Sequence, residues 1–183
     1  MANGLGYTIM DSPIGPLLLA STEEGLCHIQ FEVEQDGIAQ LTRWCKKTFL
    51  GVTPVRDDER NAAAKKQLEE YFAGERKVFD LPIVLYGTPF QKSVWNALAD
   101  IPYGETKSYK DIALAIGAAK AVRAIGGANN RNPIPIIIPC HRVIGSNGAL
   151  VGYGGGLPIK EHLLALEGVP LHIQTTLDQA IRF

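Results

Sequence analysis

Short apolar runs alternate with turn-forming residues over the first part of the chain. Tyr7-Thr8-Ile9-Met10, Leu17 to Ala20 and Leu26 to Phe31 are separated by Asp11-Ser12-Pro13-Ile14-Gly15-Pro16 and by Thr22-Glu23-Glu24-Gly25. This spacing predicts a β-meander of antiparallel hairpins over residues 5–32. The apolar period then lengthens. Ile38, Leu41, Cys45 and Phe49 recur at helical spacing and predict a helix over Asp36 to Leu50, with Asp36 as N-cap and Gly51 as stop. Cys45 on this face reads as a core filler. After a polar connection, Val52 to Arg60, a second helix is predicted from Asn61 to Ala73, with Leu68, Tyr71 and Phe72 inward and Gly74 after it. Val78 to Leu85 reads as a further strand.

The pattern changes at Gly87. Thr88-Pro89-Phe90-Gln91 places Thr at N-cap, Pro at N1 and Gln at N3 of a helix. Its apolar face is Phe90, Val94, Ala97, Leu98 and Ile101, and Pro102-Tyr103-Gly104 ends it. Ser108-Tyr109-Lys110-Asp111 is a second capping box, opening a short helix that Gly117 stops. Another helix is predicted from about Ala118 to Asn129, and the pair makes a helix-turn-helix candidate.

Composition narrows the class. Apolar residues make up 46% of the 183 and charged residues 20%, a globular profile that excludes wholesale disorder and collagen. No apolar run approaches the roughly 18 to 20 residues of a membrane span. The first residues lack the basic and apolar regions of a secretory signal. With Cys27, Cys45 and Cys140, an odd number, a disulfide scaffold is not expected, and the reducing cytoplasm (or nucleus, in a eukaryote) is the expected compartment. The net charge of −1 hides an asymmetry: Thr88 to Gly168 holds 8 Lys plus Arg against 5 Asp plus Glu, while Met1 to Gly87 holds 9 against 13.

Chemistry concentrates in one stretch, Asn132-Pro-Ile-Pro-Ile-Ile-Ile-Pro-Cys-His-Arg-Val-Ile144. Pro133, Pro135 and Pro139 forbid a regular helix or a central strand, and Ile136 to Ile138 are too apolar for the surface. An extended, rigid, buried segment is therefore expected to deliver Cys140 to a fixed place. A reactive thiol must become a thiolate, which needs an activating partner. His141 is adjacent, although neighbours on an extended segment point to opposite faces. A carboxylate orienting the histidine completes the arrangement; several acids are available, Glu167 among them. A negative charge at a helix end, where Glu167 lies, calls for a local partner. A Cys-His-acid set also suits a hydrolase, which would turn over and would not need the helix-turn-helix.

The segment PIPIIIPCHRVIGSNGALVGYGGGLPIKEHLLALEG resembles the signature of the O6-alkylguanine-DNA alkyltransferases. The Pro-Cys-His-Arg-Val motif, the upstream Asn-Pro, the Gly-Tyr-Gly-Gly-Gly loop and the closing Lys-Glu-x-x-Leu-Leu-x-x-Glu-Gly carry the likeness. Thr88-Pro-Phe-Gln, Ser108-Tyr109 and Ala121-Val-Arg-Ala-Ile-Gly-Gly-Ala128 extend it over Gly87 to Gly168, and Asp-Ser-Pro-Ile-Gly-Pro-Leu and Tyr-Phe-Ala-Gly continue it weakly upstream.

The resemblance implies Cys140 as alkyl acceptor, with His141 (through a bound water) and Glu167 forming its thiolate. Asn132 would brace the site and Tyr109 would donate to guanine O6. Arg123 would fill the gap left by the extruded base, beside a DNA-facing set of Tyr109, Ala121, Ala124, Gly126 and Arg142. Tyr153, Gly154 and Gly155, with Pro135, would line the substrate pocket. Implied too are a partner, double-stranded DNA with alkylated guanine, and no cofactor, no membrane and no obligate protein partner. Animal members can hold a structural zinc in the N-terminal domain; Cys27 and His28 are neighbours with no second clear pair, so no metal is expected. With no Cys-rich N-terminal activator pattern in the sequence, a transcription-activator role is not expected, and non-catalytic lesion-binding relatives lack the acceptor thiol present here. The expected fold is an α/β N-terminal domain (residues 1–87, an antiparallel sheet with helices) and a mostly α C-terminal domain (88–183) with a winged-helix-like helix-turn-helix.

Overall fold

The computed structural model describes residues 4–31, 33 and 36–170. The part of the second expected domain beyond residue 170 lies outside them. The chain divides into two compact units, Met1–Thr88 with Pro133–Ile137, and Pro89–Asn132 with Ile138–Phe183.

The first unit is built on a four-stranded sheet. β1 (Gly6–Met10), β2 (Leu17–Ser21) and β3 (Leu26–Gln30) form the meander, with β2 in the middle and every one of its residues buried. A strand covered on both faces reads as a continuous apolar run, which is what Leu17-Leu18-Leu19-Ala20 is. The meander is antiparallel, as the alternating pattern predicts, and a fourth strand makes the sheet mixed. β4 (Val55–Arg56), inside the stretch read as a polar connection, pairs parallel to β1 and gives the order β3-β2-β1-β4. Two exposed residues carry no apolar signal; they are recruited by backbone alone, Val55 N–H to Leu5 O and Asp57 N–H to Tyr7 O, both 2.9 Å.

The strand expected over Val78 to Leu85 reduces to one parallel bridge between Ile83 and Leu26. Pro82 explains the difference: it can accept from Leu26 N–H but has no N–H to extend a ladder. α1 (Gly37–Thr48) buries Leu41 and Cys45 against the sheet but leaves Ile38 48% exposed. Asp36 precedes it without a capping bond and pairs instead with Arg43. α2 (Ala62–Phe72) follows Asn61, a fully buried amide that donates to Gly6 O and Asp57 O and accepts from the Ser21 hydroxyl. Residues 133–137 belong to this unit as well, with Ile29 N–H donating to Pro133 O at 2.8 Å.

The second unit is helical. α3 (Pro89–Ala99) starts at the proline that the capping pattern marks, and buries Val94, Trp95 and Leu98. The Trp95 indole N–H donates to Ala128 O at 2.8 Å, tying α3 to α5 (Val122–Asn130). α4 (Tyr109–Ala115) opens on a complete capping box between Ser108 and Asp111. It ends where Gly117 takes φ +71°, with Gly117 N–H bonded to Leu114 O and Ala118 N–H to Ala113 O. This cap and the turn closed by Ala121 N–H to Ala118 O delay α5 to Val122, four residues after the expected start. α6 (Leu157–Leu166) closes the described chain. β5 (Lys107–Ser108) pairs parallel with β6 (Val143–Ile144). That two-residue ladder positions the site: β5 runs directly into Tyr109, and β6 directly follows Arg142.

Candidate active site

Cys140 is not carried on an extended segment. Pro139 sits at φ −82°, ψ 65° and Cys140 N–H bonds back to Ile138 O at 2.8 Å, an inverse γ-turn. Cys140–Arg142 then form one turn of 3₁₀ helix, closed by Arg142 N–H to Pro139 O. The prolines set this path, since Pro139 is preorganised for the turn and donates nothing. The Asn132 amide donates to Ile138 O at 2.8 Å and fixes the turn from outside. In a 3₁₀ turn successive side chains fan out by about 120°. Cys140, His141 and Arg142 thus point three ways, not to alternating faces.

His141 and Arg142 converge on Glu167. The imidazole Nε2 lies 2.5 Å from Glu167 Oε2, and both side chains are fully buried. The Arg142 guanidinium donates through Nε to Oε1 at 2.7 Å and through Nη2 to Oε2 at 3.2 Å, a bidentate pair, and through Nη1 to Ile101 O. Gly104 N–H adds a bond to Oε1 at 3.3 Å. Gly104 has φ +79°, and a Cβ there would stand 3.2 Å from Glu167 O, so the approach requires glycine. Glu167 caps the C-terminus of α6, where the helix dipole disfavours an anion. Arg142 offsets that, and Gly168 N–H to Ala165 O with Val169 N–H to Leu164 O completes the helix end.

This geometry fixes the tautomer of His141. A carboxylate held by a guanidinium is ionised and only accepts. Burial, with help from the Arg142 and Lys160 charges, lowers the His141 pKa, while Glu167 pulls the other way. The ring is neutral, so Nε2 carries the hydrogen that Glu167 accepts and Nδ1 carries the free lone pair. Nδ1 is buried and makes no hydrogen bond to the described protein. A neutral imidazole oriented by a carboxylate is a general base.

Cys140 is 4% exposed, and burial raises its thiol pKa. Asn132, the Lys160 charge, its own backbone N–H and Tyr153 work in the opposite direction. The resting group is a thiol surrounded by groups that favour the thiolate. Tyr109 opens α4, half-buried, and its phenol donates to Val151 O at 3.1 Å. Burial raises its pKa and the charge on Cys140 raises it further, keeping the phenol a proton donor.

The other expected residues divide. Arg123 and Ala124 are exposed in the first turn of α5, and Ala121 and Gly126 are half-buried beside them. Tyr153, half-buried, lies in the loop before α6 with Gly154 exposed and Gly155 half-buried. One expectation is corrected. Arg142 was placed among DNA-facing residues, yet it is 6% exposed and its guanidinium is consumed by Glu167 and Ile101 O. Pro135 is buried. The sequence reading missed Lys160. Its ammonium is fully buried and donates to Val143 O, Val151 O and Gly152 O. A lysine among Leu157, Ile159, Leu163 and Leu164 was the available signal. Among the described residues no group of three or more His, Cys, Asp or Glu could hold a metal.

Comparison with known proteins places both units. Residues 89–169 match the family model of the 6-O-methylguanine DNA methyltransferase DNA-binding domain, and residues 5–85 that of the ribonuclease-like domain of the same proteins. The methylated-DNA–protein-cysteine methyltransferase of Methanosarcina acetivorans is 55% identical over 162 residues, which cover 88% of this chain and 97% of that one. The crystal structure of Mycobacterium tuberculosis O6-methylguanine methyltransferase superposes with a TM-score of 0.77 at 46% identity, covering 94% of this chain and 99% of the other. The M. tuberculosis protein in complex with DNA gives 0.75 at 47% identity, covering 90% and 92%.

Glu167→Gln strands the buried Arg142 charge, and breaking such a pair costs about 3–5 kcal/mol. Urea unfolding should show that loss, and Arg142→Met added to Glu167→Gln should recover part of it. A loss no larger than about 1 kcal/mol, the range of surface pairs, would contradict the buried ion pair.

Proposed function

The chain belongs to the 6-O-methylguanine DNA methyltransferase family, and from that premise we propose which of its atoms carry the reaction. The activity is repair of O6-methylguanine in DNA by transfer of the methyl group to a cysteine of the protein. Cys140 is that cysteine. Its neighbour His141 is a buried base held by a carboxylate, and Asn132, Lys160 and Tyr153 favour its thiolate; Cys27 and Cys45 lie in the apolar core of the first unit, and the histidine next to Cys27, His28, meets the Gln30 amide and no carboxylate. The convergence of His141 and Arg142 on Glu167 is the observation that carries the reading.

The thiol proton passes to His141 Nδ1 through an intervening water, and Glu167 holds the resulting imidazolium. Sγ attacks the methyl carbon in line with the C–O6 bond. As the S–C bond forms, the C–O6 electron pair returns to guanine, which would leave as an anion. The Tyr109 phenol supplies a proton to it and is reprotonated at the expense of the imidazolium. Thiol and O6-methylguanine have then become thioether and guanine, with no cofactor consumed. A thioether is a poor leaving group, so each molecule reacts once. O4-alkylthymine, with its alkyl group on a comparable exocyclic oxygen, is a lesser substrate.

The lesion lies within the duplex, so its nucleotide must rotate out, at a cost of roughly a few kcal/mol. α4 and α5 form the helix-turn-helix, and Arg123 stands exposed in the first turn of α5, where a long cation can enter the stack. The small residues Ala121, Ala124 and Gly126 let the backbone approach the duplex. Tyr153, Gly154 and Gly155 close over the flipped base. Double-stranded DNA is the partner, held through a mildly basic unit and so salt-sensitively. No helix among the described residues is long and apolar enough to cross a membrane, and the cytoplasm, or a nucleus, fits the free thiols.

Incubation with an O6-methylguanine oligonucleotide should add one methyl group, mapped by peptide mass spectrometry to Cys140. Cys140→Ala should abolish transfer while binding the oligonucleotide with little change; a methyl group found on Cys27 or Cys45 would refute the assignment. Arg123→Ala should slow repair of duplex by about tenfold or more, as expected from about 1.4 kcal/mol of lost stack filling, and leave reaction with free O6-methylguanine nearly unchanged. Equal slowing of both reactions would place Arg123 in chemistry or folding instead.

A further inference from the structure

Lys160 is a buried charge, among the described residues, that the reaction described above does not use. It lies in α6, fully buried, with its ammonium 2.5 Å from Val143 O, 3.2 Å from Val151 O and 3.4 Å from Gly152 O. These carbonyls belong to two separate pieces of backbone. Val143 is the first residue of β6, directly after the Cys140–Arg142 turn. Val151 and Gly152 lead into Tyr153 and the glycines of the loop. Val151 O also accepts from the Tyr109 phenol. A single ammonium therefore joins the backbone behind the acceptor cysteine, the loop proposed to cover the base, and the carbonyl on which the proton-donating phenol rests.

We propose that Lys160 is a positioning residue for alkyl transfer, fastening the 151–153 loop to β6 so that Cys140, Tyr109 and Tyr153 are held in register. The inference rests on the assignment of Cys140 and Tyr109 made above. The fastening depends on charge, because an ammonium has three N–H donors for three carbonyls, whereas a neutral amine has two and turns a lone pair toward the third. It also frees Tyr109: when the phenol leaves Val151 O to serve the guanine, that carbonyl keeps a charged donor.

Burial brings the Lys160 pKa down to about 8, and the charge on Cys140 opposes that shift. The titratable groups facing it are Cys140 and His141 from the 3₁₀ turn, with Tyr109 sharing its acceptor from α4. The ammonium is complete below about pH 8 and is lost as pH rises through that value. The rate should therefore fall on the alkaline side even though thiolate formation alone would raise it.

The test compares Lys160→Met and Lys160→Arg with the unchanged protein, using an O6-methylguanine duplex in single-turnover mixing from about pH 6 to pH 10, a range set to bracket the ordinary cysteine and lysine pKa values. Lys160→Met should transfer about 10- to 100-fold more slowly, as expected for loss of charge-assisted hydrogen bonds, with duplex affinity unchanged. Protease should cut its 145–156 loop faster. Lys160→Arg should retain most of the rate and lose the alkaline fall, because a guanidinium stays charged throughout. If Lys160→Met does not fold, the Lys160→Arg profile decides: an alkaline fall identical to that of the unchanged protein overturns the proposal, as does a Lys160→Met protein of unaltered rate. Mass mapping separates the two readings. Methyl on Cys140 with unaltered Lys160 variants overturns this inference alone, while methyl elsewhere overturns the reading on which it rests.

Discussion

A buried carboxylate governs this molecule. Glu167 is sealed from water at a helix C-terminus, where both burial and the helix dipole oppose its charge, and Arg142 offsets that by gripping it at both oxygens. Everything nearby follows from that pairing. Arg142 ties the 3₁₀ turn to the end of α6 and, through Ile101 O, to the segment that leaves α3. With the carboxylate ionised, the neutral His141 has to present its Nε2 hydrogen to it, and its Nδ1 lone pair is what remains for proton transfer. One ion pair thereby anchors the turn that carries Cys140 and sets the tautomer of the histidine proposed as its base.

The two-residue ladder between β5 and β6 does comparable positional work at small cost in sequence. Lys107 pairs with Val143 and Ser108 with Ile144. The capping box turns the chain into α4 immediately after β5, so Tyr109 occurs at a fixed offset from Cys140. Catalytic geometry held to within about half an ångström needs support from regular elements rather than loops. Here the support consists of a cap, a short ladder, and the Asn132 bond that fixes the turn.

The parts read correctly from sequence were those with local causes. Ser108 and Asp111 cap α4 because their side chains answer backbone donors three residues away, and Gly117 ends it because it can take a positive φ. The central run Leu17 to Ala20 announced a strand buried on both faces. What escaped was set by tertiary contact. Val55 and Arg56 became a strand only because the edge of β1 needed a partner. Val78 to Leu85 looked like a strand, but Pro82 limits it to one bridge. Arg142 looked like a cation for DNA because its partner lies 25 residues away and the motif alone cannot show it. Lys160 went unread because a lysine in a helix is ordinarily solvated; only the carbonyls of two remote segments give it a reason to be buried.

The central claim is that Glu167 sets the protonation of His141. It is tested most directly by ¹⁵N NMR of the imidazole in the folded, unreacted protein near neutral pH. The account predicts a neutral ring with its hydrogen on Nε2, strongly hydrogen-bonded, and a pyridine-like Nδ1, persisting to a pH below the ordinary histidine pKa of about 6.5 because burial opposes its charging. An imidazolium at neutral pH, or a hydrogen on Nδ1, would contradict it.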